Sequence, residues 1–165
     1  ELIAANPQNY DMILDYANEL FNETHVSEAK DRPADYAERC AKIEDLYKKA
    51  LAIKPDALEA NLNLAKHYFN QALFLEDDAN KIKGTNPDDV KKKADIKAQV
   101  VALCEKAIPP FEVVFKELDS KSNLKLSEKS EYKSACNNLA YCYDRKKDKA
   151  KADFYQKKYD EADSK

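Results

Sequence analysis

The feature that most narrows the fold is scarcity of glycine: among 165 residues there is one, Gly84, and there is no tryptophan. Tight β-turns draw on glycine wherever the backbone takes a positive φ, so a chain of many short strands needs more of it than this. Helix interiors need none, and a glycine there costs about 1 kcal/mol relative to alanine. The remaining composition agrees, with 36% charged and 44% hydrophobic residues and an abundance of Ala, Leu, Lys, Glu and Asp. An all-α fold is the expectation, and a chain of this length makes one domain with a real core.

Apolar residues at helical spacing divide the chain into six segments. Tyr10, Ile13, Leu14, Ala17, Leu20 and Phe21 follow Asn6-Pro7, a cap and a first-position proline, and predict a helix over 7–23. A polar connection over 24–33 leads to Tyr36, Cys40, Ile43, Tyr47, Ala50 and Leu51, which stop at Lys54-Pro55-Asp56. Pro55 ends that helix, and Asp56 can cap the next. The third helix, about 56–82, carries Leu58, Leu62, Ala65, Phe69 and Ala72 on one stripe and Leu64, Tyr68 and Leu75 on another, so it must pack on two sides.

After the turn at Gly84, with Asn86 as cap and Pro87 first, a stripe from Ile96 to Leu118 predicts a long fourth helix kinked at Pro109-Pro110. A lysine-rich connection over 120–128 should fasten itself by Leu124 and Leu126, with Ser127 capping the fifth helix. That helix bears Tyr132, Cys136, Leu139 and Tyr143, and the sixth bears Ala152, Tyr155, Tyr159 and Ala162. Three hairpins result, over about 7–54, 56–118 and 128–163.

Several kinds of chemistry are disfavoured. His25 and His67 are the only histidines and stand in no HxxxH, HExxH or triad-like setting, so neither a metal nor a catalytic role is expected and His67 reads as a packing residue. Cys40, Cys104, Cys136 and Cys142 lack the CxxC spacing of a metal site and fall on apolar stripes as small core residues. No glycine loop cradles a phosphate, no alternating oxygen loop suits calcium, and no cofactor is expected. Lys91-Lys92-Lys93 is hemmed by Asp88, Asp89 and Asp95 without an interleaved aromatic, which argues against nucleic acid. No apolar run is long enough to span a membrane. Residues 1–53 hold 6 basic against 11 acidic side chains and 119–165 hold 12 against 9, a drift that could orient a charged partner and that a solvated surface also explains.

An internal repeat carries the remaining information. Asn63-Leu64-Ala65-Lys66-His67-Tyr68 and Asn138-Leu139-Ala140-Tyr141-Cys142-Tyr143 share Asn-Leu-Ala-x-x-Tyr, each in the first helix of a hairpin. The pattern resembles the tetratricopeptide repeat family, in which a small residue lets the partner helix approach while a Leu and an aromatic fill the space between hairpins. The second-helix signature of that family is matched by Tyr47, Ala50 and Leu51 before Pro55, by Ala107, Phe111 and Val114 with Asp119 in place of the proline, and more loosely by Ala152, Tyr155 and Tyr159.

The resemblance implies antiparallel hairpins stacked as a short right-handed superhelix, forming a single domain over 1–165. The motifs lie 75 residues apart, against about 34 for one family repeat. The middle hairpin is therefore expected to extend past the repeat body over 76–100, and the third helix to be about 40 Å long. An elongated hairpin of this kind is similar to tetratricopeptide proteins exported by Bacteroidetes-type bacteria, which points to an exported or periplasmic location over a cytoplasmic one.

The family's groove, lined by the first helix of each hairpin, takes extended peptides or partner helices. Carried over through the Leu-Ala pair, it would present Leu62, Lys66, Phe69 and Asn70 from the middle hairpin and Asn137, Tyr141, Asp144 and Arg145 from the last, with Asp11, Asp15, Asn18 and Glu19 from the first. The Lys-x-x-Gly-Asn-x-x-Phe pattern of chaperone-tail-binding members is missing. The resemblance implies a protein or peptide partner and no enzymatic activity; the alternative is self-association through the long hairpin or the aromatic last helix.

Overall fold

The fold is that of a computed structural model, which describes residues 6–26 and 31–164. It is all-helical: α1 (Tyr10–Thr24), α2 (Tyr36–Ile53), α3 (Leu58–Lys81), α4 (Pro87–Asp119), α5 (Leu126–Arg145) and α6 (Lys149–Glu161), with a 3-10 turn at Ala162–Ser164 and no strand among the described residues. Part of the connection expected over 24–33 lies outside the described residues. No helix among the described residues is long and apolar enough to cross a membrane.

At α1, α4 and α6 a side-chain oxygen satisfies an otherwise unpaired N–H group at the helix start, whereas α2 and α3 have no side-chain cap. Asn86 behaves as its sequence suggests, accepting from the Asp89 N–H at 2.9 Å with Pro87 in the first turn. The only glycine serves this cap. A Cβ on Gly84 would meet the Asp89 carboxylate at 1.7 Å, where that carboxylate accepts from the Asn86 amide at 2.6 Å.

Three expected caps are corrected. Asn9, not Asn6, caps α1 by accepting from the Met12 N–H at 3.1 Å, and Asn6-Pro7 forms the turn before it. Asp56 stays exposed in its turn, where Asn61 donates to the carbonyls of Pro55 and Ala57 at 2.9 and 3.0 Å. At α5, Glu128 reaches back to the Lys125 N–H at 2.9 Å, leaving Ser127 inside the first turn. Leu126 does not fasten the connection: it is 87% exposed, and Leu124 alone packs on the core. The α4 helix runs unbroken through Pro109-Pro110. The carbonyls that lose partners there belong to Glu105 and Lys106, whose exposed positions let water replace the missing donors.

Each helix packs on the next in sequence, and α3 additionally touches both α1 and α5. The apolar stripes merge into one core. Within it the repeated motif recurs as structure. Ala65 and Ala140 are buried, as a close helix approach requires. Tyr68 sets its hydroxyl against Glu44 of α2, with Lys106 of α4 lying 5.3 Å from its ring and 3.4 Å from that carboxylate. Tyr143 likewise donates to Glu112 of α4 at 2.7 Å, with Lys151 of α6 at 4.7 Å from its ring. In both copies the tyrosine leans on a carboxylate from the preceding hairpin and is covered by a lysine from its own.

Beyond the repeat body the middle hairpin continues alone. At 1.5 Å per residue α3 and α4 are about 36 and 50 Å long. Ala79 and Val100 are their last buried residues at that end, and none of 80–99 is buried.

Candidate binding face and a buried polar cluster

With 3.6 residues per turn, the contacts of α3 fall on separate stripes. Toward α1, Asn63 donates to Asn18 Oδ1 at 2.9 Å, Asn18 donates to Glu59 at 2.9 Å, and His67 meets His25. Toward α5, Phe69 packs edge-on against Tyr141 at 5.2 Å between ring centroids, and Glu76 pairs with Arg145 at 2.8 Å while accepting from the Tyr141 hydroxyl. Between the stripes, at intervals of four, three and four, stand Lys66, Asn70, Leu73 and Asp77, all at least partly exposed. Lys66 and Asn70 make no side-chain hydrogen bond or ion pair among the described residues.

The other residues expected in the groove are placed differently. Leu62 and Phe69 are core residues, 5% and 8% exposed, beneath this seam. Arg145 is already engaged, paired with Glu76 and with Asp144 at 2.8 Å each and stacked over Tyr141 at 4.4 Å. Asp144 and Arg145 border an open cleft of about 530 Å³ against the base of the extension. Asn137 is exposed and, with Tyr141 and Asp144, borders a shallow cleft toward Asp153 and Gln156 of α6.

On α1, Asn18 is consumed internally, accepting from the Tyr47 hydroxyl at 2.8 Å as well as from Asn63. Asp15 is exposed, Asp11 lies 3.9 Å from Lys54, and Glu19 lines the cleft between α1 and α2 beside Arg39 and Lys42. The exposed large apolar side chains among the described residues, Val90, Leu126 and Phe154, belong to three different helices.

Sequence patterns gave no sign of a second constellation. His25, at the end of α1, and His67, in α3, share a hydrogen bond of 2.8 Å between Nε2 and Nδ1. The amide of Gln71 meets His67 Nε2 at 2.9 Å. The ligating atoms of His25, His67 and Cys40 all lie within 4.8 Å of one another. His67 and Cys40 are buried, and the His25 ring is walled by Phe21, Tyr36 and Phe74 at 4.7 to 6.1 Å.

Burial lowers His25 to about 4 and, with the facing His25 adding to it, His67 to about 3, so both rings are neutral at pH 7. Burial pushes the Cys40 thiol up, an effect eased by the neighbouring Tyr36 hydroxyl. Tyr36, Cys40 and Gln71 also line an open cleft of about 600 Å³ among α2, α3 and α4, with Phe74 and Leu103.

All four cysteines are buried thiols outside any disulfide. Cys104 and Cys142 are hydrogen-bonded to each other, which lowers the first thiol and raises the second. Neither pairing follows a sequence spacing. The one legible hint is that His67 and Cys142 occupy the same position, the fifth, of the repeated motif. No family model, curated protein or solved structure matches the chain.

Proposed function

We propose that the chain is a tetratricopeptide-like interaction module that binds an extended peptide or partner-protein segment along the seam of α3 between α1 and α5. The observation that carries this reading is the line Lys66, Asn70, Leu73, Asp77, in which the Lys66 and Asn70 side chains have no partner among the described residues. From 66 to 77 the helix rises about 16 Å, the span of about five extended residues. An ammonium takes a carboxylate or carbonyl, and an amide pairs with a peptide backbone in both directions. Asn137 and Tyr141 extend the polar edge on α5, while Leu62 and Phe69 support it from below. Adjacency of the three first helices and recurrence of the tyrosine, carboxylate and lysine contact support the repeat reading.

The test is selection of peptides from a display library against the protein, followed by amide shift mapping. Shifts centred on Lys66, Asn70, Asn137 and Tyr141 are expected, and Lys66→Glu should weaken binding about tenfold or more without altering the melting curve, as befits a charge-assisted contact on the surface. Shifts confined to the extension over 76–100 overturn the assignment. Self-association has scattered apolar side chains to draw on, and light scattering across concentrations separates it from peptide binding.

A further inference from the structure

We propose that His25, His67 and Cys40 form a three-ligand site for a zinc-class transition-metal ion, with its fourth coordination position toward the cleft among α2, α3 and α4. Two imidazoles and one thiolate suit such borderline ions, and three protein ligands leave one position for water or a small anion. Around a tetrahedral zinc ion such ligand atoms lie about 3.3–3.6 Å apart, given metal distances of about 2.0–2.3 Å. The histidine nitrogens stand at 2.8 Å and the whole set within 4.8 Å, so adjustments of about 1 Å bring all three to one ion.

Hydrogen bonding does not account for the pair. In either tautomer the shared bond leaves His25 Nδ1 buried and without a hydrogen-bond partner among the described residues. A cation drawing on imidazole lone pairs uses the two rings as they stand, both neutral. Gln71, against the second nitrogen of His67, is placed to orient that ring as the outer partners of metal-bound histidines do. As the metal–sulfur bond forms, Cys40 releases one proton to solvent, and the neutral histidines contribute lone pairs without net proton loss. The ligands come from the end of α1, from α2 and from α3. The ion thus ties the first hairpin to the second while its open position faces a cleft bordered by Tyr36, Gln71 and Phe74.

Chelator-treated, reduced protein titrated with Co²⁺ and then Zn²⁺ tests the site. Expected are a single equivalent of bound Co²⁺, a thiolate-to-cobalt charge-transfer band, displacement of that band by Zn²⁺, and a higher melting temperature with Zn²⁺. Cys40→Ser should abolish the band, whereas Cys104→Ser should retain it. Gln71→Ala should weaken Co²⁺ binding about 10–100-fold, with His25→Gln at least as damaging, and circular dichroism should verify that each variant is folded. Failure of the wild-type protein to take up either ion overturns the proposal. So does a band that survives Cys40→Ser, or one that disappears in a folded Cys104→Ser variant.

Discussion

The two copies of Asn-Leu-Ala-x-x-Tyr share a frame and differ at both variable positions; at the fourth, Lys66 corresponds to Tyr141, and at the fifth, the buried one, stand His67 in α3 and Cys142 in α5. Both residues are wholly buried, and each meets a cysteine from the second helix of the preceding hairpin, Cys40 or Cys104. In the second copy two thiols answer each other. In the first, the imidazole gathers a second histidine and a thiol and leaves a buried nitrogen without a partner among the described residues. The Leu, Ala and Tyr positions therefore belong to packing, while the fifth position is where the buried chemistry of the copies diverges.

The sharpest test of the shared frame is truncation of its leucines. Leu64→Ala and Leu139→Ala should each cost about 2–5 kcal/mol in urea denaturation, the range for a buried leucine whose cavity cannot collapse. The loss should be greater at Leu139, which is fully buried where Leu64 keeps 6% exposure. The reverse order would mean that the copies are not packed alike.

Acid should separate the copies next. The folded pKa values of His25 and His67, about 4 and about 3, lie below the ordinary 6.5, so the unfolded chain binds protons that the folded one refuses. Their stabilising contribution is complete above pH 6.5 and is lost as pH falls toward 4. Glu44 and Lys106 act on His67 in opposite senses, and the rings around His25 bring no charge. Metal-free protein should lose on the order of 3 kcal/mol per histidine, about 6 kcal/mol for the pair, between pH 7 and pH 4. His67→Cys, which copies the second motif into the first, should flatten that part of the profile. An unchanged slope would place the acid sensitivity elsewhere.

The smallest effect concerns the tyrosine contacts. Tyr68→Phe and Tyr143→Phe should each cost about 1 kcal/mol, the usual net value of one hydrogen bond. A double-mutant cycle of Tyr143→Phe with Glu112→Gln should show coupling at the 2.7 Å contact. Glu112 also accepts from Tyr155 at 3.2 Å, which leaves the carboxylate a second partner when Tyr143 is altered. Unequal costs in the two copies would show that the repeated contact is not energetically equivalent.

Much of the fold was legible because helix periodicity is local. The six stripes match α1 to α6 within a few residues, and Ala79 and Val100 are the last buried residues of α3 and α4 toward Gly84. Starts of helices were less legible. Asn6 and Asn9 are chemically the same cap, and only backbone geometry selects Asn9. On the proposed binding face, the resemblance pointed to Lys66 and Asn70, which are partly exposed, but could not show that Leu62 turns inward. Nor could it show that Arg145, a promising donor on α5, is taken up by Glu76.

What the amino-acid order determined by itself is therefore the all-helical class, because glycine is almost absent and apolar residues keep a 3.6-residue beat, together with the one six-residue pattern that occurs twice. Tertiary structure alone decided which faces meet. A stripe says that a side chain is buried but not what it is buried against, and His25 and His67 are 42 residues apart. The packing of α3 between α1 and α5 leaves Lys66 and Asn70 without a partner among the described residues, and its packing on α1 and α2 brings two histidines and a cysteine within 4.8 Å of one another.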